Sequence, residues 1–176
     1  MAGASEPVEA TAVNPARTSE DVRLRRADES DTAFLFGLAP RLAGVPRPPW
    51  HTADAMAGFQ DRFMEATLRP PREGSLTLVA AAADGRRLGY VHAHPGRDGV
   101  TDEPCGHVAI VVLEEDAEGR GVAGRLMAGA EAWARARGWR LLSIDVFADN
   151  RRALDFYVRG GFRPETVRLV KPLQVS

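Results

Sequence analysis

Leu113-Glu114-Glu115-Asp116-Ala117-Glu118-Gly119-Arg120-Gly121-Val122-Ala123-Gly124-Arg125-Leu126-Met127 is the stretch that decides the fold. It follows a continuous apolar run, His107 to Leu113, that reads as a central strand. It leads into Val122 to Arg137, where Val122, Leu126, Met127, Ala130, Trp133 and Ala134 share one side. That periodicity predicts an amphipathic helix ended by Gly138. A strand stops, a glycine-rich turn follows, and a helix begins. Free backbone N–H groups at such a helix start bind phosphate oxygens, helped by the helix dipole. Gly119, Gly121 and Gly124 have no Cβ, so a pyrophosphate can approach the main chain. Arg120 and Arg125 can add charge-assisted contacts. The run Glu114, Glu115, Asp116 and Glu118 reads first as a solvated acidic turn, a charge the helix N-terminus favours; the alternative is that it attracts a cationic amine substrate.

Gly119-Arg120-Gly121-Val122-Ala123-Gly124 also spells the dinucleotide fingerprint GxGxxG. The spacing rejects that reading, because in the fingerprint the first glycine follows the strand almost directly. Here Glu114 to Glu118 intervene. The acidic ribose ligand is expected about 20 residues on, and the strand-end candidate, Asp145, lies further away. Too little chain follows for a doubly wound sheet. The phosphate loop ending in Lys-Ser or Lys-Thr is absent, since the only lysine is Lys171.

Towards the N-terminus, Leu76 to Ala82 and Leu88 to His94 read as a hairpin turning at Asp84-Gly85. Residues 95–106 then read as a loop. Val22 to Arg26 reads as a short half-buried strand, with Val22 and Leu24 inward and Arg23 and Arg25 solvated. A helix should start at Ser30 or Asp31 and carry Phe34, Leu35 and Leu38. Pro40, Pro46, Pro48 and Pro49 exclude helix or central strand from Pro40 to Trp50, leaving a long connection that could cover a site. Thr52 to Leu68 reads as a helix with Ala53, Met56, Phe59, Phe63 and Met64 in the core. Trp50 and Phe59 hint at an apolar wall. Towards the C-terminus come a strand Leu141 to Phe147, a helix Ala153 to Arg159 closed by Gly160-Gly161, and a last strand Thr166 to Leu173. The expectation is an α/β (α+β type) layer fold. Its central sheet is mixed, mostly antiparallel, of six to seven strands, with helices on both faces. Residues 1–20 show no apolar period and read as a disordered tail; residues 21–176 read as one domain.

The 176 residues suit a single domain. Lys plus Arg is 23 against 24 for Asp plus Glu, a net charge of −1. That balance lacks the basic footprint of a nucleic-acid or anionic-membrane partner. The single cysteine, Cys105, excludes an internal disulfide framework and a Cys-rich zinc site, and fits a reducing compartment. No apolar run approaches the roughly 18 residues of a membrane span, and no signal-peptide pattern opens the chain. The expectation is a soluble cytoplasmic domain.

A second motif joins the first. Asn150-Arg151-Arg152-Ala153-Leu154-Asp155-Phe156-Tyr157-Val158-Arg159-Gly160-Gly161-Phe162 follows an Asn…Ala…Tyr…Gly-Phe pattern. With Glu118-Gly119-Arg120-Gly121-Val122-Ala123 about 30 residues earlier, the chain resembles the GNAT superfamily of N-acetyltransferases from residue 22 to about 173. In that family the turn begins with Gln or Arg, where this chain has Glu118. Backbone donors survive that change, but a carboxylate beside a pyrophosphate weakens binding unless it points to solvent.

The resemblance implies direct transfer of acetyl from acetyl-CoA to a primary amine, without a metal. Val111, Val112 and Leu113 resemble the splayed strand whose main chain pairs with the pantetheine arm. Gly119, Arg120, Gly121, Val122, Ala123, Gly124 and Arg125 resemble the pyrophosphate turn, and Asn150 a polar contact to the donor. Tyr157 resembles the general acid that protonates the leaving thiolate. The acceptor amine must be neutral to attack, so a base is needed. Asp145 is one candidate. His107 is another: a hairpin symmetric about its loop sets His94 opposite His107 and His92 opposite Ala109. Alternation then puts the three histidines on one face with Tyr90 and Val111. They could line the acceptor site or, less simply, bind a metal. The acceptor reads as a small-molecule amine; a protein N-terminus or lysine is the alternative. A non-catalytic acyl-CoA-sensing module and a nucleotide-dependent oxidoreductase are the competing classes. The protein reads as a monomer or a homodimer, the latter through the exposed edge of the last strands.

Overall fold

The computed structural model describes residues 22–173; the tail expected over residues 1–20 lies outside them. Among the described residues the sheet has five strands in the order β1-β2-β3-β4-β5: β1 Arg23–Arg26, β2 Leu76–Ala81, β3 Arg87–Arg97, β4 Pro104–Leu113 and β5 Leu142–Ile144. The first four are antiparallel and β5 runs parallel to β4. The expected hairpin at Asp84-Gly85 is present, with Gly85 at φ 84°. The loop expected over residues 95–106 is shorter, because β3 and β4 remain paired out to Arg97 and Pro104.

One face of the sheet packs on α1 (Thr32–Gly37), α2 (Ala39–Ala43) and α3 (Ala53–Leu68). Leu35, Leu38 and Met64 meet Val79, Tyr90, Ile110 and Val112 there. The other face packs on α4 (Val122–Ala136), through Leu126, Ala130, Trp133 and Ala134 against Ala80, Val91, Ala93 and Val108. Phe156 and Tyr157 of α5 (Arg151–Arg159) join that side. Helices therefore cover both faces, as expected. No helix among the described residues is long and apolar enough to cross a membrane.

Four local expectations are corrected. Residues 39–43 are helical despite Pro40, which sits in the first turn, where a missing N–H costs nothing. Phe59 is exposed and stacks on Phe63, while Met56, Gln60 and Met64 form the buried stripe of α3. Arg25 is not simply solvated. It donates to both oxygens of the fully buried Asp31, which Arg87 also contacts, and Asp28 rather than Ser30 or Asp31 caps this turn. Lastly, Thr166 to Leu173 forms no strand, so the sheet falls short of six to seven. Val167 and Leu169 stay exposed. Alternation and β-propensity describe a half-buried surface, and without a partner strand they make no ladder.

Candidate active site

A β-bulge shapes the centre of the sheet. His94 pairs with His107 as expected, but His92 pairs with Ile110 and Ala93 with Val108, leaving Ala109 as an extra residue. The bulge reverses the parity of β4 beyond it. His92, His94 and His107 share the α1–α3 face with Tyr90, as expected, whereas Val111 turns to the α4 face. The parallel pairing of β5 with β4 also stops here, at Val108 and Ile144. From Ala109 to Leu113 that edge of β4 carries no strand among the described residues. Past the end of the β4–β5 ladder, the β4 edge is unpaired main chain, and the space beside it is called the slot.

At the top of the slot the chain turns into α4. Gly119 and Gly121 hold φ of 71° and 76°, the left-handed region that disfavours other residues. Gly121 is the N-cap and offers no side chain to cap with. The first helical N–H groups therefore have no internal partner, and Cβ atoms at Gly119 and Gly124 would meet nothing within 4 Å. An open cradle of donors at the start of a 15-residue helix fits a phosphate.

The side chains around this turn are arranged differently from the expectation. Arg125 donates to the carbonyl of Val22 at 2.7 Å, so it ties α4 to β1 rather than facing the cradle. Glu118 does not point into solvent. One of its oxygens accepts from Arg41 of α2 at 2.5 Å, the other from Arg152 of α5 at 2.6 Å. The carboxyl is held below its usual range, first by the Arg152 hydrogen bond and then by Arg41. No local sequence signal marks Arg41 and Arg152 as partners of Glu118, which lies 77 and 34 residues away from them. Asn150 caps α5, its side-chain oxygen accepting from the Ala153 N–H at 3.2 Å.

Tyr157 sits on α5, edge-on to Phe156 and Phe162, beside a hollow of about 300 Å³ between α4 and α5. Burial pushes its phenol up to about 12. It belongs to the α4 side, and His107 to the opposite face.

His107 Nδ1 lies 3.0 Å from Ser143 Oγ on β5, and that hydroxyl lies 3.3 Å from the Gly106 carbonyl. A carbonyl only accepts, so Ser143 donates to it and accepts from His107 Nδ1–H. Nε2 is left with its lone pair. Burial lowers the His107 pKa below 6.5, and the nearby His94 lowers it further, while Asp145 opposes and Arg72 reinforces the shift. His107 is therefore neutral at pH 7. The His94 and His107 rings are 5.1 Å apart and the His92 and His94 rings 6.4 Å. No group of His, Cys, Asp or Glu among the described residues has a metal-holding arrangement. Asp145 is exposed, one residue beyond β5, and reaches His107 through its field rather than a hydrogen bond.

Past Val108 β4 loses its β5 partner, a glycine turn opens onto the α4 N-terminus, and α5 bears a tyrosine. The sequence model described as the Acetyltransferase (GNAT) family matches residues 42–162, and the chain belongs to that family. It is 34% identical over 148 residues to a mycothiol acetyltransferase of Rhodococcus jostii, covering 81% of this chain and 46% of the relative. It is 31% identical over 142 residues to a dTDP-fucosamine acetyltransferase of Escherichia coli, covering 80% and 58%. The chain thus spans about half the length of the curated relatives it matches. Among solved structures, an acetyl transferase from Pyrococcus furiosus superposes with a TM-score of 0.71 at 20% identity, covering 87% of this chain and all of that one. The aminoglycoside N-acetyltransferase AAC(6')-Iy in complex with CoA does so at 0.61 and 21%, covering 92% and 99%. These two likenesses concern the fold.

Proposed function

We infer that the chain transfers an acetyl group from acetyl-CoA directly to the primary amine of a small molecule. The observation that carries this reading is the slot between β4 and β5, closed at one end by the open cradle before α4. Val112 turns its main-chain groups to Tyr90 of β3, so those of Val111 and Leu113 on the free edge offer hydrogen bonds to an amide-bearing arm lying in the slot. The N–H groups of Val122, Ala123 and Gly124, with Arg120, hold the pyrophosphate. The curated relatives bear the names mycothiol acetyltransferase and dTDP-fucosamine acetyltransferase, which supports a small acceptor over a protein.

His107 and Tyr157 lie on opposite faces of the sheet. Nε2 of His107, neutral and fixed in its tautomer by Ser143, takes the proton of the incoming ammonium. Backbone N–H groups at the bulge face the carbonyl oxygen as charge develops on it. Tyr157, with a phenol at about 12, stays protonated at neutral pH. Full transfer to a thiolate of pKa about 8.5 is uphill in water. Its contribution is a hydrogen bond that strengthens as the thiolate forms.

Two measurements test this. Calorimetric titration should give saturable binding of acetyl-CoA and none of NAD; the reverse would restore the oxidoreductase reading. His107→Gln keeps a donor for Ser143 but cannot take a proton. It should lower kcat/KM about 10²-fold and abolish the rise in activity with pH through the His107 pKa below 6.5. An unchanged profile would remove His107 from the base role.

A further inference from the structure

The three-segment cluster Arg41–Glu118–Arg152 stands at the mouth of the phosphate cradle. As a stability device it is weak. Side-chain exposures are 29% for Arg41, 30% for Glu118 and 76% for Arg152, and ion pairs that wet contribute roughly 0–1 kcal/mol. As an anion site it is better built. Each Glu118 oxygen holds one guanidinium by a single nitrogen, and a guanidinium carries five N–H donors. Arg41 reaches a second carboxylate, Glu115, only at 3.6 Å. Most donors of both arginines therefore remain available. The cluster sums to one positive charge, where Glu118 alone would place one negative charge beside the α4 N-terminus. A free arginine side chain also has about 2 kcal/mol of rotamer entropy to lose, and Glu118 removes much of that freedom before any ligand arrives.

We propose that Glu118 is a positioning residue that arrays Arg41 and Arg152 as cationic contacts to the phosphates of the acyl donor. The inference rests on the acetyl-CoA reading above. It reverses the sign expected for a carboxylate at this place: Glu118 strengthens anion binding through the two arginines it holds. Arg41 lies on α2, just before the proline-rich connection.

The test is calorimetric titration of the full chain, in low salt, with CoA and with pantetheine, which has the arm but no phosphates. Glu118→Ala should weaken CoA binding about tenfold, the scale of one lost charge-assisted contact, and leave pantetheine binding unchanged. Arg41→Gln and Arg152→Gln should each weaken CoA similarly. Glu118→Gln, which keeps one acceptor oxygen, should fall between Glu118→Ala and wild type and serves if the alanine variant folds poorly. Tighter or unchanged CoA binding by folded Glu118→Ala overturns the proposal while leaving the donor assignment intact. Equal losses for CoA and pantetheine also overturn it, because they mean a general collapse of the site. Failure of the wild type to bind CoA overturns both readings.

Discussion

His92 offers a quantitative check on the histidine face that needs no substrate. Its side chain is fully buried, Nδ1 lies 2.8 Å from Thr77 Oγ1, and Nε2 is buried without a partner among the described residues. Burial, and then the field of His94, pushes its pKa from 6.5 down to about 4. The unfolded chain takes up a proton near pH 6.5, but the folded chain refuses it until about pH 4. Stability from this residue is therefore fully present above pH 6.5 and is lost as pH falls below it. The slope is about 1.4 kcal/mol per pH unit, so the loss is about 2 kcal/mol at pH 5 and about 3 kcal/mol at pH 4. In a domain of this size 2 kcal/mol corresponds to roughly 4–8 °C in Tm. Urea unfolding at pH 7, 6 and 5 should be compared for wild type and His92→Gln. The variant stays neutral and retains a group for Thr77. It should start less stable at pH 7 but lose about 2 kcal/mol less between pH 7 and 5. The carboxylates held low, Asp31 and Glu118 among them, titrate below this window. His107 contributes equally to both proteins. Parallel losses in the two proteins would refute the buried, neutral His92.

Three further outcomes follow from named contacts. Gly89→Ala would set a Cβ 2.5 Å from the Val112 carbonyl oxygen and 2.8 Å from Leu113 Cα. The overpacking should destabilise by about 1–3 kcal/mol and weaken acetyl-CoA binding, because it displaces the free edge of β4; unchanged affinity by calorimetry would separate the slot from the donor. Asp31→Asn leaves Arg25 and Arg87 facing a neutral amide, and should cost about 3 kcal/mol in denaturant titration at pH 7; a loss under 1 kcal/mol would mean that the arginines relax into water. Tyr157→Phe should lower kcat about 10²-fold with little change in KM for acetyl-CoA, and unchanged turnover would exclude Tyr157 as the thiolate donor.

Much of this arrangement could be read from the chain, and the rest depended on contacts the chain order hides. The turn Glu118–Gly124 and the helix behind it were legible because glycine at positive φ and a 3.6-residue apolar period are local signals. His94 facing His107 was legible because hairpin symmetry holds close to the loop. The partner of His92 and the face of Val111 were not, because the one-residue bulge at Ala109 changes register without a sequence mark. The first strand's Arg25 read as solvated because alternation does not reveal a buried carboxylate at Asp31 waiting to be paired. Glu118 reads as one acid of a solvated turn, because Arg41 comes from a helix that its own proline argues against, and Arg152 from beyond β5 in the chain. The unpaired Thr166–Leu173 segment has a strand's pattern and no strand's neighbour.

The most direct test of the central claim is the rate of CoA thiol release from acetyl-CoA as the concentration of a small primary amine is raised, across amino sugars, polyamines and amino acids. Saturable, amine-dependent release is expected with at least one of them, with an N-acetylated product of matching amount. Saturable acetyl-CoA binding with no release by any small amine would contradict the claim, and would leave an acyl-CoA sensor or a protein-directed enzyme in its place.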